Sequence, residues 1–342
     1  LEEHDETHVA AARLTDAYLE RLGPWRPADR AWIDEMTTEV DNLRSLVPLL
    51  APGRVELSQQ MACSIGWFHD VGQTFRDGID ELARLAGMLD RPTPSRVALL
   101  TTLGWLQLRT GDLTAAGETA DAAAALRIDQ GAPDWDDVGV ERIRGEIARR
   151  AGNLADAIEI AQGALATQPS ARGRARMHNL LGTAAAANGD LVTAFEECRR
   201  ELELYQSLGY EGMVAGAHGN LAEVALRTGD LPAAASHQRS CLQLALQQGS
   251  AAMVAFSLIA AARIAGMRRQ WPEATVLHAR GEGLLEEIGL ALYDDDRRLS
   301  EEMLLAARTR LGPDAYARVS HEGREMPISE AVGAAEEVLS AR

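Results

Sequence analysis

Two tryptophans and a set of arginines and glutamates are the side chains of this sequence best suited to bind a ligand. Guanidinium groups pair with carboxylates through two parallel hydrogen bonds, and tryptophan supplies a large, rigid contact surface. The candidate binding residues are Trp67, Trp105, Arg109, Glu146, Arg150, Glu223, Arg227 and Arg263. This combination suits an acidic peptide or a small molecule that carries a carboxylate.

A purely structural role is the alternative for the same residues. Glu146 and Arg150, like Glu223 and Arg227, are spaced as pairs that stabilise a single helix. Trp67 and Trp105 would serve equally well in packing between neighbouring helices. The sequence leaves both roles open for the tryptophans and favours helix pairing for most of the charges.

No set of residues indicates catalysis or a bound cofactor. The sequence contains no lysine, which excludes a Walker A loop and a Schiff-base nucleophile. His4 and His8 lie one helical turn apart, but no third ligand nearby completes a metal site. The acidic run 294–296 lacks the spacing of a calcium-binding EF-hand loop. We therefore expect no enzyme and no resident metal or cofactor.

The charge of the chain limits its partners. Its net charge is −17, from 51 acidic and 34 basic residues, and such a surface repels nucleic-acid phosphates and anionic lipid. Cys63, Cys198 and Cys241 show no paired spacing and are predicted to be buried thiols. We expect a cytoplasmic protein that binds neither nucleic acid nor membranes directly. The first residue is leucine, and we expect the chain to be a fragment of a longer polypeptide.

A recurring phrase, Gly-Asp-Leu or Gly-Asn-Leu, identifies the elements that must hold these side chains. Its copies, two of them degenerate, begin at Gln73, Gly111, Gly152, Gly189, Gly229 and Arg269. A period of about forty residues is typical of a helical solenoid. The glycine can take the left-handed conformation that ends one helix, and the Asp or Asn can cap the next. Ser329 is likewise predicted to cap the last helix. Small residues stand at fixed offsets before and after each phrase, as closely crossing helices require.

This helix–turn–helix unit resembles the tetratricopeptide repeat, with a period longer than the usual ~34 residues. The sequence predicts an all-α fold, a right-handed superhelix of antiparallel helix pairs, with roughly 55–75% of residues in helices and no β-sheet. We expect a helical cap at residues 1–53, about six helix pairs at 54–288 and capping helices at 289–342. The resemblance implies that the candidate binding residues line a concave groove that holds the partner or effector.

Segments near both ends resemble one family of bacterial regulators. They are Ala-Trp-Ile-Asp at 31–34, Glu-Val-Asp-Asn-Leu-Arg at 39–44, Leu-Gly-Pro-Asp-Ala-Tyr at 311–316 and Glu-Gly-Arg-Glu-Met-Pro-Ile-Ser-Glu-Ala-Val at 322–332. Similar phrases occur in the tetratricopeptide region of signal-transducing (STAND) ATPases, which include LuxR-type and SARP (AfsR-like) transcriptional regulators. Ser320 departs from that pattern, where a tryptophan is common.

The family resemblance implies a regulatory role for the chain. In that family the region is a sensor arm, which receives a protein, peptide or small-molecule signal and restrains an attached NTPase and effector domain. The alternative is a free-standing adaptor that scaffolds other proteins.

Overall fold

The computed structural model describes residues 2–26, 29–126, 133–167, 169–290, 292 and 294–341. Of these described residues 85% are helical, and none lies in a strand. The predicted all-α fold of helix pairs is therefore confirmed. The predicted helix content was too low, because most helices are joined by turns of only a few residues.

The chain divides into two compact units, and unit 1 comprises Leu1–Asn188 with Glu203–Tyr210. Its helices are α1 (Glu2–Leu22), α2 (Arg30–Leu50), α3 (Val55–Gly72), α4 (Phe75–Met88), α5 (Pro94–Arg109), α6 (Leu113–Ala125), α7 (Gly139–Arg150), α8 (Leu154–Ala166) and α9 (Ala171–Ala187). A short 3-10 turn, Asp134–Asp136, precedes α7. Helices that follow one another pack as pairs, and α3, α5, α7 and α9, the first helices of successive pairs, also contact their neighbours in that series.

Unit 2 comprises Gly189–Leu202 and Glu211–Arg342. One helix, α10 (Leu191–Leu208), has its first part in unit 2 and its last residues in unit 1. The helices that lie wholly in unit 2 are α11 (Glu211–Thr228), α12 (Leu231–Gln248), α13 (Ala251–Met267), α14 (Trp271–Glu287), α15 (Asp294–Leu311), α16 (Pro313–Glu325) and α17 (Ile328–Ser340). The pairs α11/α12 and α13/α14 continue the repeat, and α14 also packs against α16. The sequence-based division into cap, repeats and capping helices stays a prediction.

The recurring phrase forms the turn inside each helix pair. Its four glycines all have a left-handed backbone, with φ of 85° at Gly111, 81° at Gly152, 85° at Gly189 and 78° at Gly229. In the two degenerate copies, Gln73 and Arg269 take the same conformation, with φ of 59° and 61°. The predicted register is confirmed, because the backbone repeats even where glycine is absent.

The predicted helix caps are only partly present. The side chains of Asp112, Asp190 and Asp230 each accept a hydrogen bond from a backbone N–H in the first turn of the following helix. Asn153 makes no such bond, although it occupies the same place in the phrase. Ser329 was expected to cap the last helix, but α17 already begins at Ile328. The cap predictions at Asn153 and Ser329 were therefore wrong.

The small residues at the helix crossings are buried, as predicted. The five alanines that follow the phrases are completely buried: Ala116, Ala157, Ala194, Ala234 and Ala274. A Cβ atom added at Gly104 would lie 2.9 Å from Cδ1 of Ile143 in the next repeat, and one added at Gly145 would collide with Leu180. Glycine at these positions lets successive repeats approach closely.

Replacing Arg269 with glycine is expected to raise the free energy of unfolding by about 1 kcal/mol. Arg269 is exposed and holds a left-handed backbone, which costs roughly this amount for a residue with a Cβ atom. Chemical unfolding of the Arg269→Gly variant measures the gain. Gly229→Ala makes the opposite change at the equivalent turn of another repeat and should lower the free energy of unfolding. Equal stability of Arg269→Gly and wild type would contradict the prediction.

Candidate binding pocket

A pocket in unit 1 brings together both tryptophans that the sequence singled out. Trp67 of α3, Trp105 of α5 and Arg142 of α7 line it, together with residues of the 3-10 turn and of α9. Its cavity volume is only about 20 Å³, roughly the room of one water molecule, and the empty space of about 380 Å³ in and around it is partly open solvent. Because α3, α5, α7 and α9 are the first helices of successive pairs, the pocket lies on the layer of helices where the sequence predicted a binding surface.

Two glycines bring the helices around the pocket close together. A Cβ atom at Gly66 would lie 2.5 Å from Cγ2 of Thr102, and one at Gly139 would lie 2.5 Å from Oδ2 of Asp136. A larger residue at either position would displace a pocket side chain. The pocket is therefore shaped by close helix approach as well as by the side chains that line it.

Arg142 stacks on the indole ring of Trp105. Its Cζ atom lies 3.3 Å from the ring centroid, well within cation–π distance. Burial, and then the neighbouring charge of Arg176, lower the pKa of Arg142 to about 9. The guanidinium is thus still charged at neutral pH, but its environment opposes that charge.

Asp136 and Arg176 form a buried ion pair in the wall of the pocket. Nη1 of Arg176 lies 2.5 Å from Oδ1 of Asp136, and the hydroxyl of Thr101 donates a hydrogen bond to the other carboxylate oxygen. Burial alone would lower the pKa of Arg176, but the charge of Asp136 outweighs it and raises the pKa above the usual arginine value. The pair fixes the 3-10 turn against α5 and α9.

Arg172 places a second stacked guanidinium beside the pocket. Its Cζ atom lies 4.5 Å from the ring centroid of Trp67 and 5.4 Å from that of Tyr210, and Nη1 donates to the carbonyl of Pro24 at 2.7 Å. Burial and the charge of Arg176 lower the pKa of Arg172 to about 10. Arginines thus lie on or near both tryptophan rings.

Asp70 engages two of the predicted binding residues. The indole N–H of Trp105 donates to its Oδ2 at 3.2 Å, and Nε of Arg109 lies 3.6 Å from its Oδ1. Arg109 also lies over the ring of Phe75, with 5.0 Å between Cζ and the centroid. The charge of Arg109 is therefore balanced by the carboxylate of Asp70, which belongs to the neighbouring repeat.

Glu146 and Arg150 form the ion pair that the structural alternative anticipated. Nε of Arg150 donates to Glu146 at 2.7 Å, and Arg149 donates to the same carboxylate through two bonds of 2.9 Å. Burial alone would raise the pKa of Glu146, but these two arginines lower it to about 2. Nη1 of Arg150 also donates to the carbonyl of Leu108 at 2.7 Å.

In unit 2, Glu223 engages both of the remaining predicted arginines. Nε of Arg227 donates to it at 2.7 Å, and Arg263 of the next repeat bonds to both carboxylate oxygens. All four predicted arginines thus have carboxylate partners within the protein. A ligand would have to displace those partners, so a role of Arg109, Glu146, Arg150, Glu223, Arg227 and Arg263 in binding stays a prediction.

Unit 2 also contains a pair of half-buried histidines. The Nδ1 atoms of His218 and His237 lie 3.0 Å apart, so one of the rings must donate and the other accept. Burial and then the proximity of His237 lower the pKa of His218, and burial lowers that of His237. Protonation is therefore more favourable in the unfolded chain than in the folded one.

Unit 2 is expected to lose stability as the pH falls below about 6.5. The stability that the neutral histidine pair contributes is complete above that value and is lost as the pH falls through the lowered pKa values of the folded protein. Urea unfolding at pH 8 and pH 5 measures the change. His237→Gln should make the change smaller, whereas the same substitution at the exposed His321 should leave it as in wild type. An undiminished change in His237→Gln would contradict the prediction.

Sequence reasoning found the aromatic part of the pocket and missed its charged part. Arg142, Arg172, Arg176 and Asp136 were not among the predicted binding residues. Arg172 and Arg176 lie one turn apart in α9, and both are nearly buried, at 7% and 6% exposure. Two arginines spaced one helical turn apart, at positions where the apolar pattern of α9 places buried residues, could have indicated the charged part of the pocket.

The structure adds little on metals and membranes. The described residues include no cluster of three potential metal ligands among His, Cys, Asp and Glu. The side chains of His4, His8 and the acidic run 294–296 lie outside the described part of the chain. As predicted, Cys63, Cys198 and Cys241 are buried free thiols. Within the described residues, no helix combines the length and the apolar character that crossing a bilayer requires.

Two solved structures show a distant structural likeness to the chain. No protein-family model and no curated protein sequence matches the chain. The apo form of RapI has a TM-score of 0.45 at 12% identity, with 90% of this chain and 96% of that chain covered. BtubC (BKLC) from P. vanneervenii has a TM-score of 0.34 at 15% identity, with 75% and 91% covered. Likeness at this level says nothing about ligand or activity.

Proposed function

We propose that the chain is a regulatory module of helical repeats that receives a protein, peptide or small-molecule signal. The observation that carries this proposal is the pocket of unit 1, where two partly exposed tryptophans and a stacked guanidinium converge. A partly open aromatic pocket, with a guanidinium that makes no direct ion pair, supports a binding role better than packing alone. The pocket is therefore the receiving site of the module.

We further propose that the module is the sensor arm of a signal-transducing ATPase that regulates transcription. This finer assignment rests on the resemblance of the terminal segments. In segment 39–44, Glu39 accepts hydrogen bonds from the hydroxyl of Tyr18 and from Asn42, both at 2.7 Å, and Arg44 pairs with Glu81 of α4 at 2.8 Å. The resembling residues thus hold α2 against its neighbours, which gives them a physical role.

The assignment is tested on the polypeptide encoded by the complete reading frame. We expect it to contain a nucleotide-binding module, and removal of residues 54–288 should raise its basal rate of ATP hydrolysis, because the restraint is lost. A reading frame without such a module would instead favour the free-standing adaptor. An unchanged rate after the deletion would contradict the proposed restraint.

The isolated chain is expected to be catalytically inactive and to bind neither ATP nor DNA. It has no lysine for a phosphate-binding loop, and its net charge of −17 opposes a phosphate backbone. Calorimetry with ATP and a gel-shift assay with random duplex DNA at physiological salt measure this. Micromolar ATP binding, turnover of ATP or a shifted DNA band would contradict the prediction.

A further inference from the structure

We propose that the pocket of unit 1 binds a single carboxylate group, and that Arg142 is the residue that holds it. This inference rests on the proposed function and specifies the chemistry of the signal. It also differs from the sequence-based expectation, which assigned the carboxylate to arginines such as Arg109 and Arg227. Those arginines have carboxylate partners of their own.

The guanidinium of Arg142 is available to a ligand. Within the described residues it takes part in no hydrogen bond or ion pair, and its close partner is the ring of Trp105. A guanidinium stacked by its face keeps its N–H groups at the edge, where two of them can donate in parallel to one carboxylate. Arg142 also lines the pocket, so its donors can meet a group that enters from solvent.

The ion pairs around the pocket leave Arg142, in its wall, without a direct carboxylate partner. Asp136 is paired with Arg176 and Asp70 with Arg109, so neither carboxylate forms a direct ion pair with Arg142, although both favour its charged form at longer range. Arg172 adds positive potential behind Trp67, where its Nη2 atom is buried without a hydrogen-bond partner. One bound negative charge would balance Arg142.

A carboxylate suits this environment better than a phosphate. The carboxylates of Asp70 and Asp136 also line the pocket and would repel a second negative charge. A carboxylate is planar, and the walls formed by Trp67 and Trp105 suit a flat or apolar stem. The same carboxylate could belong to an acidic residue of a peptide or to a small organic acid.

A bound carboxylate would also offset the unfavourable environment of the Arg142 charge. Burial and the charge of Arg176 oppose the charged form of Arg142 and lower its pKa. A bound carboxylate would favour that charged form again, because an opposite charge at hydrogen-bond distance stabilises it. The unbound pocket thus holds an unsatisfied charge that a ligand can satisfy.

The test is calorimetric titration of the whole chain with four probes: capped glutamate, capped glutamine, benzoate and inorganic phosphate. We expect one-site binding of capped glutamate or benzoate and none of capped glutamine. Stronger binding of glutamate would identify a peptide as the source, and stronger binding of benzoate a small organic acid. Tighter binding of phosphate than of either carboxylate would overturn the proposal, as would the absence of binding by both carboxylates.

Substitutions then locate the site. Arg142→Gln should weaken carboxylate binding by about 10- to 100-fold, as loss of a charge-assisted hydrogen bond does. The control is Arg144→Gln on the same helix, whose side chain is exposed and paired with Asp121 at 2.7 Å. It should bind as wild type does. Equal affinity of Arg142→Gln and wild type would overturn the assignment.

Thermal unfolding separates a binding role of Arg142 from a structural one. Because Arg142 makes no direct ion pair among the described residues and burial opposes its charge, Arg142→Gln should melt at or above the wild-type temperature. A clear fall would reveal a structural role and overturn the proposal. The ATP-hydrolysis experiment on the complete polypeptide involves no carboxylate probe. Failure of the carboxylate inference is therefore distinguishable from failure of the proposed function.

Discussion

Replacing Gly323 with alanine is expected to lower the free energy of unfolding of unit 2 by roughly 3 kcal/mol. Gly323 lies in α16 where this helix meets α14, and an added Cβ atom would be 2.6 Å from the carbonyl oxygen of Val276 and 2.8 Å from its Cα. Backbone atoms cannot rotate away as a side chain can. The two helices would have to separate, with loss of packing along their whole contact.

The melting temperature of Gly323→Ala measures this effect, and a fall of about 5–10 °C is expected. Gly333→Ala in α17 is the matched control, because an added Cβ atom there meets nothing within 4 Å. It should leave stability unchanged or raise it by up to about 1 kcal/mol, since alanine favours a helix over glycine. If both variants melted as wild type does, the close approach of α14 and α16 would be refuted.

Replacing Asp136 with alanine is expected to destabilise unit 1 by about 3–5 kcal/mol. Asp136 is 7% exposed and accepts hydrogen bonds from Arg176 and Thr101. Its removal leaves the guanidinium of Arg176 buried without a counter-ion, close to Arg142. The repulsion among the pocket arginines would then rise, and the 3-10 turn would lose its attachment.

Two further variants make the Asp136 prediction specific. Asp134→Ala, in the same turn but exposed, should change the free energy of unfolding by no more than about 0.5 kcal/mol. The double variant Asp136→Ala with Arg176→Met should recover part of the loss, because it removes the orphaned charge as well. Chemical unfolding of the three variants checks this. A double variant no more stable than Asp136→Ala alone would show that the ion pair is not the cause.

The fold was predictable because its information is local and repeated. A left-handed turn every forty residues or so, followed by a buried alanine, specifies both helices of a pair and their crossing. Gln73 and Arg269 show how strong this information is, because the register located their turns without a glycine. The cap at Ser329 failed because α17 begins one residue earlier, at Ile328. Asn153 has nearly the same backbone as the capping Asp112 and Asp230, and nothing in the structure explains its missing bond.

The ion pairs between repeats could have been predicted in part. Arg263 bonds to Glu223, forty residues earlier, and Arg109 pairs with Asp70 at nearly the same separation. Opposite charges one period apart on the first helix of each pair are therefore the signal for such contacts. The spacing within one helix predicted only the local pairs, such as Glu146 and Arg150.

The charged part of the pocket could not be predicted from the repeat. Asp136 belongs to a 3-10 turn in the segment between α6 and α7, and no equivalent turn occurs in the other described repeats. The periodic pattern therefore contains no information on where the carboxylate of Asp136 lies. The stacking of Arg142 on Trp105 depends on the angle between α5 and α7, which is a property of the packed unit.

The central claim, that the pocket of unit 1 receives a signal that carries a carboxylate, is tested most directly by nuclear magnetic resonance of the tryptophan indole groups. The chain has six tryptophans, each assignable with a Trp→Phe variant. During titration with capped glutamate, the indole signals of Trp67 and Trp105 should shift together and saturate, while that of Trp271 in unit 2 stays in place. Unmoved signals of Trp67 and Trp105, or equal shifts of all six, would contradict the claim.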